Sequence, residues 1–193
     1  MARIKVLGPD NAWKRLQAIL SWFKEVEAAG GYRKYYNGSR EGTLQGGGTA
    51  GGLGMEMEFF ESALVPQVML YGFLGFEPHA DGFALQPQLP SDWPELSIDR
   101  IRFQNSVLRI RAARDSIEIQ RQKPLPGECT VMADAEPLYL RLPPGNWQAT
   151  LLREDGVVLR EVSLPRRAAD GALELNWGEA SGVRLVRSQS AAR

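Results

Sequence analysis

Three glutamates set close together, Glu56, Glu58 and Glu61, stand between a run of glycines and an apolar stretch that begins at Ala63. An ionised carboxylate activates water as a general base. Paired with a protonated carboxyl group about 6.5–9.5 Å away, it hydrolyses a glycosidic bond with inversion. The spacing predicts at least one carboxylate at the mouth of a helix, with Ser62 as its N-cap and Pro66 in its first turn. A plain structural use is also open, since acidic side chains complement a helix N-terminus by about 0.3–1 kcal/mol each. Six of the residues from Gly46 to Gly54 are glycine, which permits positive φ and close approach of the backbone to a ligand. Gln45, Gly47, Gly48 and Thr49 are therefore the expected substrate-binding positions, beside Glu56, Glu58 and Glu61 as catalytic candidates. Gly46, Gly48 and Gly51 also match a dinucleotide-binding fingerprint. No apolar strand precedes them, however, and the glutamates that follow would repel a pyrophosphate.

Two helices must position this chemistry. Residues 62–76 carry Leu64, Val65, Val68, Met69, Leu70, Phe73, Leu74 and Phe76, so hardly any polar face remains and a buried helix is predicted. Gly75 and Pro78 end it. It falls short of the roughly 20 apolar residues a membrane-spanning helix needs. Upstream, Ala12, Leu16, Ile19, Phe23 and Val26 repeat at helical spacing after a candidate N-cap at Asp10, and Gly30-Gly31 stop the run. This predicts an amphipathic helix over 11–29, antiparallel to the second. An irregular passage from Tyr32 to Gly54 joins them, and loops of that length inside domains usually serve a site. A lone helical hairpin cannot cover both apolar faces, so this half reads as part of a larger helical assembly.

The pattern changes after Phe76. Asp81-Gly82 marks a turn and 85–94 is proline-rich. From Leu96 the periodicity becomes two: Ile98, Ile101 and Phe103, then Val107, Leu108 and Ile110 against Arg109 and Arg111, then Ile117 and Ile119. Further strands are expected at 129–132, 138–142, 147–153, 157–163, 172–176 and 182–187. Many short strands at this spacing predict an antiparallel β-sandwich, and solvated strand faces account for the arginines without partners. The organisation expected is a helical part over 1–78, a junction over 79–95 and a β-sandwich over 96–188.

The balance of charges is even, with Lys+Arg 23 and Asp+Glu 23, which argues against nucleic acid or a charged membrane surface as partner. Cys129 and His79 are each alone of their kind, so neither an internal disulfide nor a conventional metal site is expected, and no cofactor is implied. Trp13, Trp93, Trp147 and Trp177 could stack on sugar rings, although tryptophan on an apolar face more often belongs to the core.

The order of a glycine-rich loop, an apolar helix ending in LYGFLGF, and EPHADGFALQPQLPSDWPELSIDRIRFQNSVLRIR resembles the C-terminal end of the six-hairpin glycosidases. The resemblance covers roughly residues 1–120. It implies an α+β fold: the last helical hairpin of an (α/α)6 barrel, followed by a small antiparallel β-sandwich. In such barrels the loop before the last inner helix supplies the general base of hydrolases, whereas related phosphorylases bind phosphate there through serine or histidine. The matching stretch here, MEMEFFES, contains no histidine and leans toward hydrolysis, while Thr49 and Ser62 keep phosphate binding open. The resemblance thus implies a carbohydrate substrate and an acid partner on upstream barrel residues missing from this chain, which alone is expected to be inactive. A stand-alone carbohydrate-binding or interaction module is the alternative from another class.

Overall fold

The computed structural model describes residues 2–28, 65–104, 106–123, 125 and 137–188. The chain divides into two units, Met1–Met69 and Leu70–Arg193. The loop at 32–54, the candidate cap Ser62, the single Cys129 and the strand expected at 129–132 lie outside the described residues.

The first unit opens with a short helix that the periodicity did not disclose, α1 (Ala2–Leu7), and continues with α2 (Pro9–Ala28). Between them the Gly8 amide donates to the Ile4 carbonyl, and the Gly8 carbonyl accepts from the Ala12 amide. Helix α2 therefore starts with proline at its first position, where a missing N–H costs nothing. Asp10 falls in the first turn rather than at the cap, where its charge still favours the positive helix end. Of the expected apolar stripe, Ala12 and Leu16 are buried and Ile19 half-buried, and Lys14, Arg15 and Gln17 are exposed.

Among the described residues the second helical stretch ends earlier, and is less covered, than its composition suggested. Residues 65–67 are α-helical and Val68–Phe73 form a π-helical turn. Phe73 is fully buried, but Val65, Val68, Met69 and Leu70 are half-buried and Tyr71 is exposed. Apolar composition sets the demand for cover; it does not supply the cover. The helix stops before Gly75, whose φ of 65° suits glycine and whose absent Cβ leaves room for the Gln86 backbone oxygen. Phe76, expected to close the helix, instead begins a strand.

Among the described residues ten strands follow: β1 (Phe76–His79), β2 (Gly82–Leu85), β3 (Glu95–Phe103), β4 (Ser106–Ala113), β5 (Ser116–Gln122), β6 (Leu138–Arg141), β7 (Asn146–Leu152), β8 (Val158–Val162), β9 (Leu173–Leu175) and β10 (Gly182–Ser188). They form a four-stranded sheet in the order β1-β2-β6-β9 and a six-stranded sheet in the order β3-β4-β5-β10-β7-β8. The sheet region thus starts at Phe76, ahead of the alternation that begins at Leu96. Strand β2 escaped a period-two reading because all four of its residues are buried, and Pro78 is tolerated because β1 lies at a sheet edge. All the described pairs are antiparallel except β2 with β6.

The core lies between the sheets. Phe76 and Phe83 from the small sheet stand 5.0 Å apart between ring centroids, and Phe103 from the large sheet meets them edge-on at 6.2 and 5.2 Å. In β3, Ile98 and Ile101 do not fit strict alternation; a bulge between them restores Ile101 to the inside. Arg100 takes a φ of 61° there, with its amide donating to Gln122 Oε1 at 3.0 Å.

Candidate functional site

The residues whose chemistry stood out in the sequence, Glu56, Glu58 and Glu61 with Gln45, Gly47, Gly48 and Thr49, lie outside the described residues; the described chain resumes at Val65. Among the described residues the charged groups converge most densely at one end of the small sheet. Four side chains meet there from three places in the chain. Asp81 sits in the β1–β2 turn, Arg141 ends β6, and Arg167 and Asp170 belong to the hairpin that leads into β9.

The geometry is built from the backbone outward. The Asp81 carbonyl accepts from the Tyr139 amide at 3.1 Å, and β2 runs parallel to β6 with Gly82 opposite Tyr139. A Cβ on Gly82 would fall 1.8 Å from the Tyr139 oxygen, so only glycine permits this approach. In the hairpin, Gly171 and Arg167 close the turn: the Gly171 amide donates to the Arg167 carbonyl and the Arg167 amide to the Ala172 carbonyl, both at 2.8 Å. Arg167 then grips Asp170 in a fork, from Nε at 2.9 Å and Nη2 at 2.6 Å, while its Nη1 donates to Asp81. Arg141 Nη2 donates to Asp170 at 2.8 Å and to Asp81 at 3.1 Å. The guanidinium of Arg167 also lies 4.4 Å from the centre of the Tyr139 ring.

Electrostatics follow from these contacts. The hydrogen bond from Arg167 holds the Asp81 carboxyl below the usual carboxylate range, with Arg141 adding to the effect and partial burial opposing it. The same guanidinium, helped by the Ala172 amide and Arg141, depresses Asp170 strongly, and the Arg167 pKa rises in return. Both acids are thus fixed anions bound to fixed cations, an arrangement for holding strands rather than for moving protons.

Next to the cluster, the end of β6, the turn before β7 and the hairpin before β9 enclose a cleft of about 180 Å³, lined among others by Arg141, Pro143, Trp147, Arg166 and Asp170. Trp147 is half-buried, with its indole Nε1 donating to the Pro143 carbonyl at 3.0 Å. Trp177 is buried with Arg121 over its ring at 5.2 Å, and Trp93 lies 5.1 Å from Phe73. Among the described residues no group of three or more His, Cys, Asp or Glu side chains could hold a metal ion, and no helix is long and apolar enough to cross a membrane.

Strands β1 to β5, and β6 up to Leu140, coincide with the model of a known family, "Glycosyl hydrolase family 65, C-terminal domain", which matches residues 76–140. Over this segment the chain is similar to a C-terminal domain of the family-65 type. The family-65 match begins at the first residue of β1, contains Asp81, Gly82 and Tyr139, and stops one residue before Arg141. A solved protein from the human microbiome, assigned as a kojibiose phosphorylase, aligns with 72% of this chain at 15% identity and a TM-score of 0.37. The chain spans 14% of that protein's length. No curated protein matches the chain.

Reading the sequence singled out Asp81 as a turn former and Arg109 and Arg111 as solvated. The structure gives all three partners. Arg109 pairs with Asp99, and Arg111 Nε reaches Glu95 at 2.7 Å, a diagonal neighbour across β3 and β4. The Asp81 contacts span separations of 60 and 86 residues, beyond any local pattern. One signal was available. In Arg166-Arg167-Ala168-Ala169-Asp170-Gly171, the Asp-Gly pair with arginine three residues before it marks a self-pairing turn.

Proposed function

We propose that this chain is the C-terminal part of a glycoside hydrolase that cleaves glycosidic bonds with inversion. The carrying observation is the family-65 match over residues 76–140 on the strands that form the sandwich. In this reading Glu61, Glu58 or Glu56 is the general base, Gln45, Gly47, Gly48 and Thr49 contact the sugar, and the acid partner belongs to barrel residues preceding this segment. An ionised base opposite a protonated acid is what inverting hydrolysis requires. The β-sandwich supports the barrel and takes no chemical step, since its carboxylates at Asp81 and Asp170 are committed to guanidinium groups.

Phosphorolysis is the second reading. The hydroxyls of Thr49 and Ser62, beside the glycine-rich stretch, supply the groups that would bind phosphate in place of an activated water. The complete enzyme that carries this segment distinguishes the two. Incubated with α-linked disaccharides, it is expected to release two free sugars at a rate independent of inorganic phosphate. Release of a sugar phosphate only when phosphate is present would replace hydrolysis by phosphorolysis, and no turnover under either condition would remove both.

A further inference from the structure

The geometry points to a binding site for a single sugar residue in the cleft where Leu142, Pro143 and Trp147 face Arg141, Arg166 and Asp170. It lies on the sandwich and uses none of the glutamates proposed for hydrolysis, so it does not rest on that reading.

Size limits the occupant first. Clefts for drug-sized ligands hold about 300–1,000 Å³, whereas this one holds about 180 Å³, room for about one small ring. The lining then selects its chemistry. Leucine, proline and indole present apolar surface suited to the C–H face of a sugar ring. Arg166, at an exposed position, keeps N–H donors beyond its bonds to the Gly171 and Gly145 carbonyls, matching hydroxyl oxygens that accept.

The walls are also preformed. The indole is held by its bond to the Pro143 carbonyl, and Asp170 by Arg141, Arg167 and the Ala172 amide at 3.2 Å. Groups already fixed lose little freedom when a ligand arrives. A small anion fits less well. It would meet the Asp170 carboxylate, and Arg166 already directs Nη1 to the Gly171 carbonyl at 3.4 Å and Nη2 to the Gly145 carbonyl at 3.2 Å. A neutral polyol meets no like charge and can share the remaining donor positions.

The test titrates glucose and maltose against the ¹⁵N-labelled full chain, following the backbone amides around residues 142–147 and 166–172. A saturable shift is expected with a dissociation constant of about 1–10 mM, ordinary for a small ligand in a small site. Trp147→Ala should weaken it by about tenfold or more, Trp147→Phe should retain it, and Arg166→Ala, at an exposed position, should weaken it by about threefold. If Trp147→Ala lowers the melting midpoint, Trp147→Phe and Arg166→Ala decide the matter. Glu61→Gln should leave binding unchanged, which separates this site from the hydrolytic one. The inference is overturned if no saturation occurs up to about 100 mM sugar, if binding is the same in Arg166→Ala as in the unsubstituted chain, or if inorganic phosphate saturates these amides in preference to sugar.

Discussion

In the six-stranded sheet β3, β4 and β5 follow one another as hairpins, and β7 and β8 form another, with β10 inserted between the two groups. The four-stranded sheet takes its members from three separate stretches, 76–85, 138–141 and 173–175. The two also differ in how charge is used. On the large sheet Arg109–Asp99 and Lys123–Glu154 are exposed, and Arg184–Glu118, between β10 and β5, is half-buried only at its glutamate. The ion pairs of the small sheet are half-buried, share partners and tie all three stretches together. Where sequence-local hairpins align the strands, charges are incidental. Where the chain must bring distant pieces into register, charges, a glycine-only contact and an aromatic cluster share the task.

That contrast can be broken in order of expected effect. Phe83→Ala removes the ring that contacts both Phe76 and Phe103 from a site with no exposure. It should cost about 3–5 kcal/mol in denaturant unfolding; a loss below about 1 kcal/mol would mean the small sheet is not anchored there. Gly82→Ala should cost about 1–3 kcal/mol or more, because the new methyl meets a backbone oxygen that cannot move without parting β2 from β6. Loss of protection from hydrogen exchange at the Tyr139 amide would locate the damage.

Asp81→Ala should cost on the order of 1 kcal/mol, since its partners are fixed but partly solvated. The pH dependence has a definite sign. Arg167 lowers the folded pKa of Asp81, so the contribution is present above the unfolded value of about 3.9 and is lost as pH falls through the folded value. Melting midpoints measured between pH 7 and pH 2 should therefore fall less steeply in Asp81→Asn than in the unsubstituted chain. Arg109→Ala, by contrast, removes an exposed pair on the large sheet and should change stability by less than about 0.5 kcal/mol. A larger cost there than at Asp81 would reverse the comparison.

The same contrast explains what the sequence disclosed. Alternation along β4 and β5, the turn at Asp81-Gly82, and the start of the apolar stripe of α2 at Ala12 and Leu16 all depend on neighbours close in the chain, and each was readable. Strand β2 was not, because burial on both faces erases its period. Nor were the partners of Asp81, because pairing across 60 and 86 residues leaves no local trace. The π-helical turn at Val68–Phe73 and the bulge at Arg100 were equally hidden, since both are set by packing rather than by residue type. The candidate base among Glu56, Glu58 and Glu61 rests on residue type, position and family resemblance.

Turnover of the complete enzyme with Glu56→Gln, Glu58→Gln and Glu61→Gln, one at a time, tests the central claim most directly. Glu61→Gln or Glu58→Gln should lower the rate by about 10²–10⁴ while the melting midpoint stays put, as expected for the loss of a general base. Near-normal turnover in all three variants would contradict it and place the base elsewhere.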